Sequence, residues 1–350
     1  MGNNTGPQLK EEADNQASSR KEDHIDLAFK SAVAVTQADA RFYYEPMLKG
    51  HPDDTLDISL GFLNKRMQYP IWVSSMTGGT EKAKRINHNL GRICGEFGLG
   101  MGLGSCRQLL YEDKRIEEFD IRDQMKDQPL FVNLGIAQIE ELTERKALDR
   151  IDELISKLRA DGLIIHINPL QEWLQPEGDR IKTSPFNLIS KLLEVVDYPV
   201  IVKEVGQGFG PESLRKLMQL PLAAVDLAGF GGTNFSKLEL LRSDEIKLNA
   251  YKDVFNLGHS CEQMLEWIEQ IKRKNPSGIK CEKIIFSGGI RNFLDGYYFI
   301  KKCSHPSFYA QASSFLKYAL DYEALRRHVI LQIEGLKMAH AFLDVKTYEG

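Results

Sequence analysis

The chain has 350 residues, 42% of them hydrophobic, and its 45 basic and 49 acidic side chains leave a net charge of −4. This is an ordinary length for one barrel with trimmings, and the near balance of charge gives no global basic field for nucleic acid or a membrane surface. The five cysteines (Cys94, Cys106, Cys261, Cys281, Cys303) never form a CxxC pair, which argues against a disulfide framework or a zinc site.

Residues 1–19 are polar, and the expectation is a disordered leader ahead of a single domain over 20–350. No apolar run approaches the roughly 18 residues of a membrane span, so a cytoplasmic protein is the default. Eight short apolar runs follow in order: Pro70–Ser74, Leu99–Leu103, Pro129–Asn133, Gly162–His166, Pro199–Lys203, Ala223–Leu227, Lys283–Ser287 and Ser307–Ala310. Several carry consecutive β-branched or large apolar residues, as parallel strands buried on both faces do. Between them lie helical patterns at Glu81–Phe97, Ala147–Arg159, Pro185–Val196, Pro211–Met218 and Cys261–Arg273. The alternation predicts an α/β fold, a (β/α)8 TIM barrel; a doubly wound sheet would show the same alternation.

Polar residues gather just after these runs, where a barrel builds its active site. Ser74-Ser-Met-Thr-Gly-Gly79 follows strand 1, Asn133 ends strand 3, His166-Ile-Asn168 ends strand 4 and Lys203-Glu204 ends strand 5. Gly229-Phe-Gly-Gly-Thr233 and Ser287-Gly-Gly-Ile-Arg291 follow strands 6 and 7, and paired glycines there let backbone amides approach an anion. Lys203, at the end of an apolar strand, calls for a negative partner in the barrel mouth; one such partner is a reduced flavin. The densest segment, His166 to Asp179, offers an imidazole, amides and carboxylates, and a single carboxylate such as Glu172 suffices to anchor Mg2+ beside phosphate oxygens. Arg20-Lys21 and Ser105-Cys-Arg107 could supply cations to a diphosphate.

From about Arg20 to Leu316 the chain resembles the type 2 isopentenyl-diphosphate isomerases, FMN-dependent barrel enzymes. The markers are Arg20-Lys21-x-x-His24-Ile25, Met76-Thr-Gly-Gly79, Gly104-Ser-x-Arg107, Asn133-Leu-Gly135, the stretch His166 to Asp179, Val202-Lys-Glu-Val-Gly206, and the two glycine loops. The resemblance implies that Met76, Thr77, Gly78, Ser105, Asn133, Lys203 and Thr233 contact FMN. Gly289, Ile290 and Arg291, together with Ala312 and Ser313, would complete its site at the phosphate. Arg20, Lys21, Ser105 and Arg107 would bind the substrate diphosphate. Gln171, with His166 and Asn168, would act at the reacting carbons, and Glu172 would bind Mg2+. NADPH as reductant of the flavin and a homo-oligomer, a tetramer or octamer, are implied as well.

Two segments depart from the family. Gly258-His-Ser-Cys261 stands where Gly-Ile-Pro-Thr is usual, and Ala312-Ser-Ser314 stands for Ala-Arg-Pro, after a two-residue insertion; His259 reads as drift on a loop. Rival readings are weighed on the same residues. A 2-hydroxy-acid oxidase would need a His-Gly-Gly-Arg-like base loop where Gly229-Phe-Gly-Gly-Thr233 stands. A purine-nucleotide dehydrogenase would need a nucleophilic Cys in a glycine-rich loop, and Cys106 has Arg107 beside it. A flavoprotein without turnover is the third.

Overall fold

A computed structural model describes residues 20–53, 55–74, 78 and 80–346; the leader expected over 1–19 lies outside the described residues. The chain divides into two compact units, 1–42 and 43–350. In the described part of the first, residues 20–27 are helical and a short 3-10 turn spans Val35–Gln37; Arg20 and Lys21 are exposed on that helix.

The second unit is built on a closed barrel of eight parallel strands. They are β1 (Ile71–Val73), β2 (Gly100–Gly102), β3 (Leu130–Gly135), β4 (Gly162–Ile167), β5 (Val200–Glu204), β6 (Ala224–Asp226), β7 (Ile284–Phe286) and β8 (Ser307–Gln311). Each falls on an expected apolar run, and β8 closes the ring by pairing Tyr309, Ala310 and Gln311 with Ile71, Trp72 and Val73. The (β/α)8 barrel read from the alternation is the fold. The expected helices are present as well. The longest of them, α1 (Glu81–Phe97), starts where the Thr80 hydroxyl accepts the Ala83 amide and stops at Gly98, whose φ of +69° takes the left-handed turn.

The barrel interior is layered because alternate residues of a strand face the same side. Trp72, Phe131, Ile164, Ile201, Ala224, Ile285 and Phe308 form one apolar layer. An antiparallel hairpin, Leu60–Phe62 with Lys65–Met67, stoppers it from below. Phe62 meets Trp72 and Phe308 edge-on, each at 5.5 Å between centroids, and Phe131 at 5.8 Å. Lys65 pairs with Asp161 at 2.6 Å, and Asp161 also holds Arg122 and the Leu130 amide, each at 2.9 Å, at the foot of β3.

Candidate active site

Two residues above the apolar layer, the same alternation turns a set of polar side chains inward. Trp72 is followed by Ser74, Phe131 by Asn133, Ile164 by His166, Ile201 by Lys203, Ala224 by Asp226 and Ile285 by Ser287. The chemistry of the mouth therefore follows from strand periodicity and from the height of the apolar layer.

On one side of the mouth, Asn133 donates through Nδ2 to the Leu103 carbonyl at 3.0 Å. Its Oδ1 is thus free to accept, and His166 Nδ1 lies 2.8 Å from it. The hydrogen bond fixes the Nδ1–H tautomer and leaves the lone pair on Nε2. Burial, with the nearby Lys203 charge, pushes the imidazole down to about 4, so the ring is neutral at pH 7.

Beyond β4 the chain turns at Asn168 into the short helix α2 (Pro169–Leu174), with Pro169 at its first position. Asn168 Nδ2 donates to Glu172 Oε1 at 2.9 Å and Gln171 Oε1 at 3.2 Å. Its Oδ1 is buried and has no hydrogen-bond partner among the described residues. Gln171 Nε2 donates to Glu239 Oε1 at 3.2 Å, on α3 (Phe235–Arg242), and Glu239 is also paired with Arg242 at 2.8 Å. Glu172 Oε2 accepts the Asp179 amide at 2.8 Å, and the Asp179 carboxylate pairs with Arg107 at 3.0 Å. Arg107, Asp179, Glu172, Asn168, Gln171 and Glu239 thus form one continuous polar chain. Ser105 is exposed two residues before Arg107.

On the other side, the two glycine loops lean on each other. A Cβ on Gly232 would lie 3.0 Å from the Gly289 amide nitrogen, and one on Gly288 would lie 2.1 Å from the Gly229 carbonyl oxygen. Gly288 and Gly289 also hold φ of +81° and +75°, so side chains are excluded both by space and by backbone. The pocket beside these loops brings together Lys203, Thr233, Gly289, Ile290, Ala312 and Ser313, all of them sequence candidates. Among the described residues the Gly289 and Ile290 amides donate to no protein acceptor, which suits a cradle for a phosphate. Arg291 is placed differently. Its guanidinium is 80% exposed and turned to Asp295, which also accepts the Arg291 amide. Gly78 packs on the Phe119 ring, while Met76 and Thr77 lie outside the described residues.

The divergent segment is tied into this floor. His259 donates its amide to Gln207 at 2.7 Å, accepts from Phe230 at 2.8 Å and sets its ring edge-on to Trp267 at 5.0 Å. Cys261 donates its thiol to the Ser287 carbonyl at 3.1 Å. No cluster of three His, Cys, Asp or Glu able to hold a metal occurs among the described residues. A divalent ion here would therefore have to take oxygens from its ligand as well as from Glu172. Two residues escaped the sequence reading. Asp226 was within reach of strand alternation, whereas nothing in the sequence tied Glu239 to Gln171.

Curated relatives named isopentenyl-diphosphate delta-isomerase match nearly the whole chain. The protein of Rickettsia felis is 35% identical over 327 residues, 91% of this chain and 90% of its own length. That of Rickettsia typhi is 34% identical over 336 residues, 93% of this chain and 94% of its own. The chain belongs to the isopentenyl-diphosphate delta-isomerase family. The closed eight-stranded parallel barrel is the fold expected of the type 2 branch of that family. No family model matches the chain. Among solved structures, a mutant flavocytochrome b2 with benzoylformate has a TM-score of 0.59 at 15% identity, covering 87% of this chain and 76% of that one. A mandelate oxidase mutant with the monooxide FMN adduct has a TM-score of 0.52 at 12% identity, covering 87% and 88%. At such identities these neighbours bear on the fold alone. In this member of the isomerase family, Gly258 and His259 border the mouth of the barrel beside Asn168 and Gln171, and Ala312 and Ser313 border it beside Lys203.

Proposed function

We propose that this enzyme interconverts isopentenyl diphosphate and dimethylallyl diphosphate in isoprenoid biosynthesis, using reduced FMN and Mg2+. The observation that carries the reading is the polar chain from Arg107 to Glu239 standing beside a glycine-walled pocket with a buried lysine, in a member of this family. The two substrates are double-bond isomers, so one proton is added, another is removed and no net redox occurs. Protonating an unactivated alkene gives a tertiary cation, which calls for a strong acid, an electron-rich surface and exclusion of water. When bound, reduced FMN supplies an electron-rich ring and a nitrogen, N5, that can give or take a proton.

The residues of the chain do the rest. Lys203 would meet the negative charge of the reduced ring. Thr233, Gly289, Ile290, Ala312 and Ser313 would hold the cofactor, with Ser105, Asn133, Gly78, Met76, Thr77 and Arg291 assigned to it by resemblance. Gln171 would orient the reacting carbons; an amide is a poor base, and Glu239 behind it is the group able to store a proton. Asn168 and neutral His166 would complete that wall. Glu172 would anchor Mg2+ together with diphosphate oxygens and water, near Arg107 and Ser105. Arg20 and Lys21, also assigned to the diphosphate, are carried by the resemblance. NADPH would reduce the flavin at the outset, and the working form would be a cytoplasmic homo-oligomer, a tetramer or octamer.

The fold neighbours include oxidases, yet the loop after β6 carries no His or Arg to serve as an oxidase base. Cys106, the nucleophile a nucleotide dehydrogenase would need, is buried and its thiol is pushed up to about 12. The test is an anaerobic incubation with FMN, NADPH, Mg2+ and isopentenyl diphosphate, following dimethylallyl diphosphate against NADPH consumed. Many products per NADPH, lost with EDTA, are expected. A yellow protein that NADPH bleaches without forming product would move the reading to an oxidoreductase or a flavoprotein without turnover.

A further inference from the structure

Two buried carboxylates at the mouth have no role in the proposed reaction: Glu204, which accepts the Gly206, Gln207 and Gly208 amides, and Asp226. Asp226 is 1% exposed and ends β6, level with Lys203 on β5. Both face inward, since each lies two residues beyond a member of the apolar layer. Ser287 Oγ donates to the Asp226 carboxylate and accepts the Ala228 amide at 3.0 Å. Ala228 opens the first glycine loop with a φ of +41°, a conformation uncommon for a residue with a Cβ, and Ser287 opens the second. One hydroxyl therefore connects a carboxylate to the roots of both loops. Burial raises the Asp226 carboxyl, while the Lys203 charge and the Ser287 hydroxyl favour its ionised form. A buried acid is costly unless it is compensated. Here the Lys203 charge, the Ser287 hydroxyl and the Ala228 amide do so, Lys203 acting through space while its Nζ donates to the Glu204 carbonyl at 2.6 Å.

We propose that Asp226 is a positioning residue of the flavin pocket: its carboxylate balances the Lys203 ammonium and, through Ser287, holds the two glycine loops in register. The proposal rests on the reading that FMN occupies this pocket. Its two halves leave different signatures. Asp226→Asn keeps the shape and removes the charge, so Lys203 stands less compensated and favours the reduced, more negative flavin over the oxidised one. Ser287→Ala keeps the charge and cuts the tie to the loops, so both redox forms are weakened alike.

The experiment titrates FMN into apoprotein of the wild type and of each variant by flavin fluorescence, and measures the midpoint potential of the bound flavin. For Asp226→Asn, the ratio of reduced to oxidised affinity should rise about tenfold, a positive shift of about 30 mV for a two-electron couple. In a Lys203→Met background the same substitution should leave the potential where it was. Ser287→Ala should weaken FMN by about tenfold without moving the potential. A potential unchanged or shifted negative in Asp226→Asn overturns the proposal, even where the wild type binds FMN normally. If Asp226→Asn does not fold, unchanged FMN affinity in Ser287→Ala overturns it. A wild type that takes up no FMN brings down the reading of the pocket itself, which is a separate and recognisable result.

Discussion

His166 keeps its proton on Nδ1 against Asn133, and its neutrality has a thermodynamic consequence. Its folded pKa of about 4 lies below the ordinary value of 6.5, so between these two the unfolded chain binds a proton that the native ring refuses. Stability from this group is fully present above pH 6.5 and is lost as pH falls toward 4, by up to ~3 kcal/mol. Urea unfolding at pH 7 and pH 5 should show a fall in the wild type that is shallower in His166→Gln; parallel curves would mean that the ring titrates normally. Glu239 allows a second prediction at this scale. Glu239→Gln keeps the contact with Gln171 and removes the acid, so kcat should fall by about 100-fold or more with little change in KM. An unchanged kcat would take Glu239 out of the proton path. Asn133, His166 and Lys203 were legible because each ends an apolar run, where period and fold agree. Glu239 was not, because its partner Gln171 is 68 residues away and helix periodicity does not report which strand loop a helix will meet.

At the scale of elements, the strands were readable and the hairpin below them was not. Parallel strands buried on both faces announce themselves as apolar runs, as β3 and β5 do, with every residue buried. The hairpin has strands of only three residues, and its turn places Leu63 at φ +55° where a Gly or Asn would have signalled it. Its importance comes from tertiary packing, since Phe62 and Met67 are both fully buried against the barrel. Phe62→Ala should cost about 3–5 kcal/mol, read as a lowered denaturation midpoint at unchanged slope. A loss below about 1 kcal/mol would mean that the layer closes without the ring.

The whole barrel is a ring of eight pairings with no free edge, and β8 is the piece that closes it. A chain ending at residue 304 would leave β1 and β7 with unpaired edges, and it is expected to lose its cooperative melt by circular dichroism. A sharp transition in that truncated chain would show that the remaining strands close by themselves. At this scale the sequence was most informative, because eight runs at barrel spacing admit few topologies. The choice between a barrel and a doubly wound sheet still depended on which edge strands meet, a fact carried by pairing and not by any one segment.

The stopper at the foot of the barrel also sets traffic. With the lower end filled by Phe62 and Met67, the polar well above them is a dead end whose traffic passes through its upper rim. A small molecule that settles deep in such a well is roofed over by the next to arrive. An enzyme of this shape can keep one occupant for many turnovers while exchanging the other at every one.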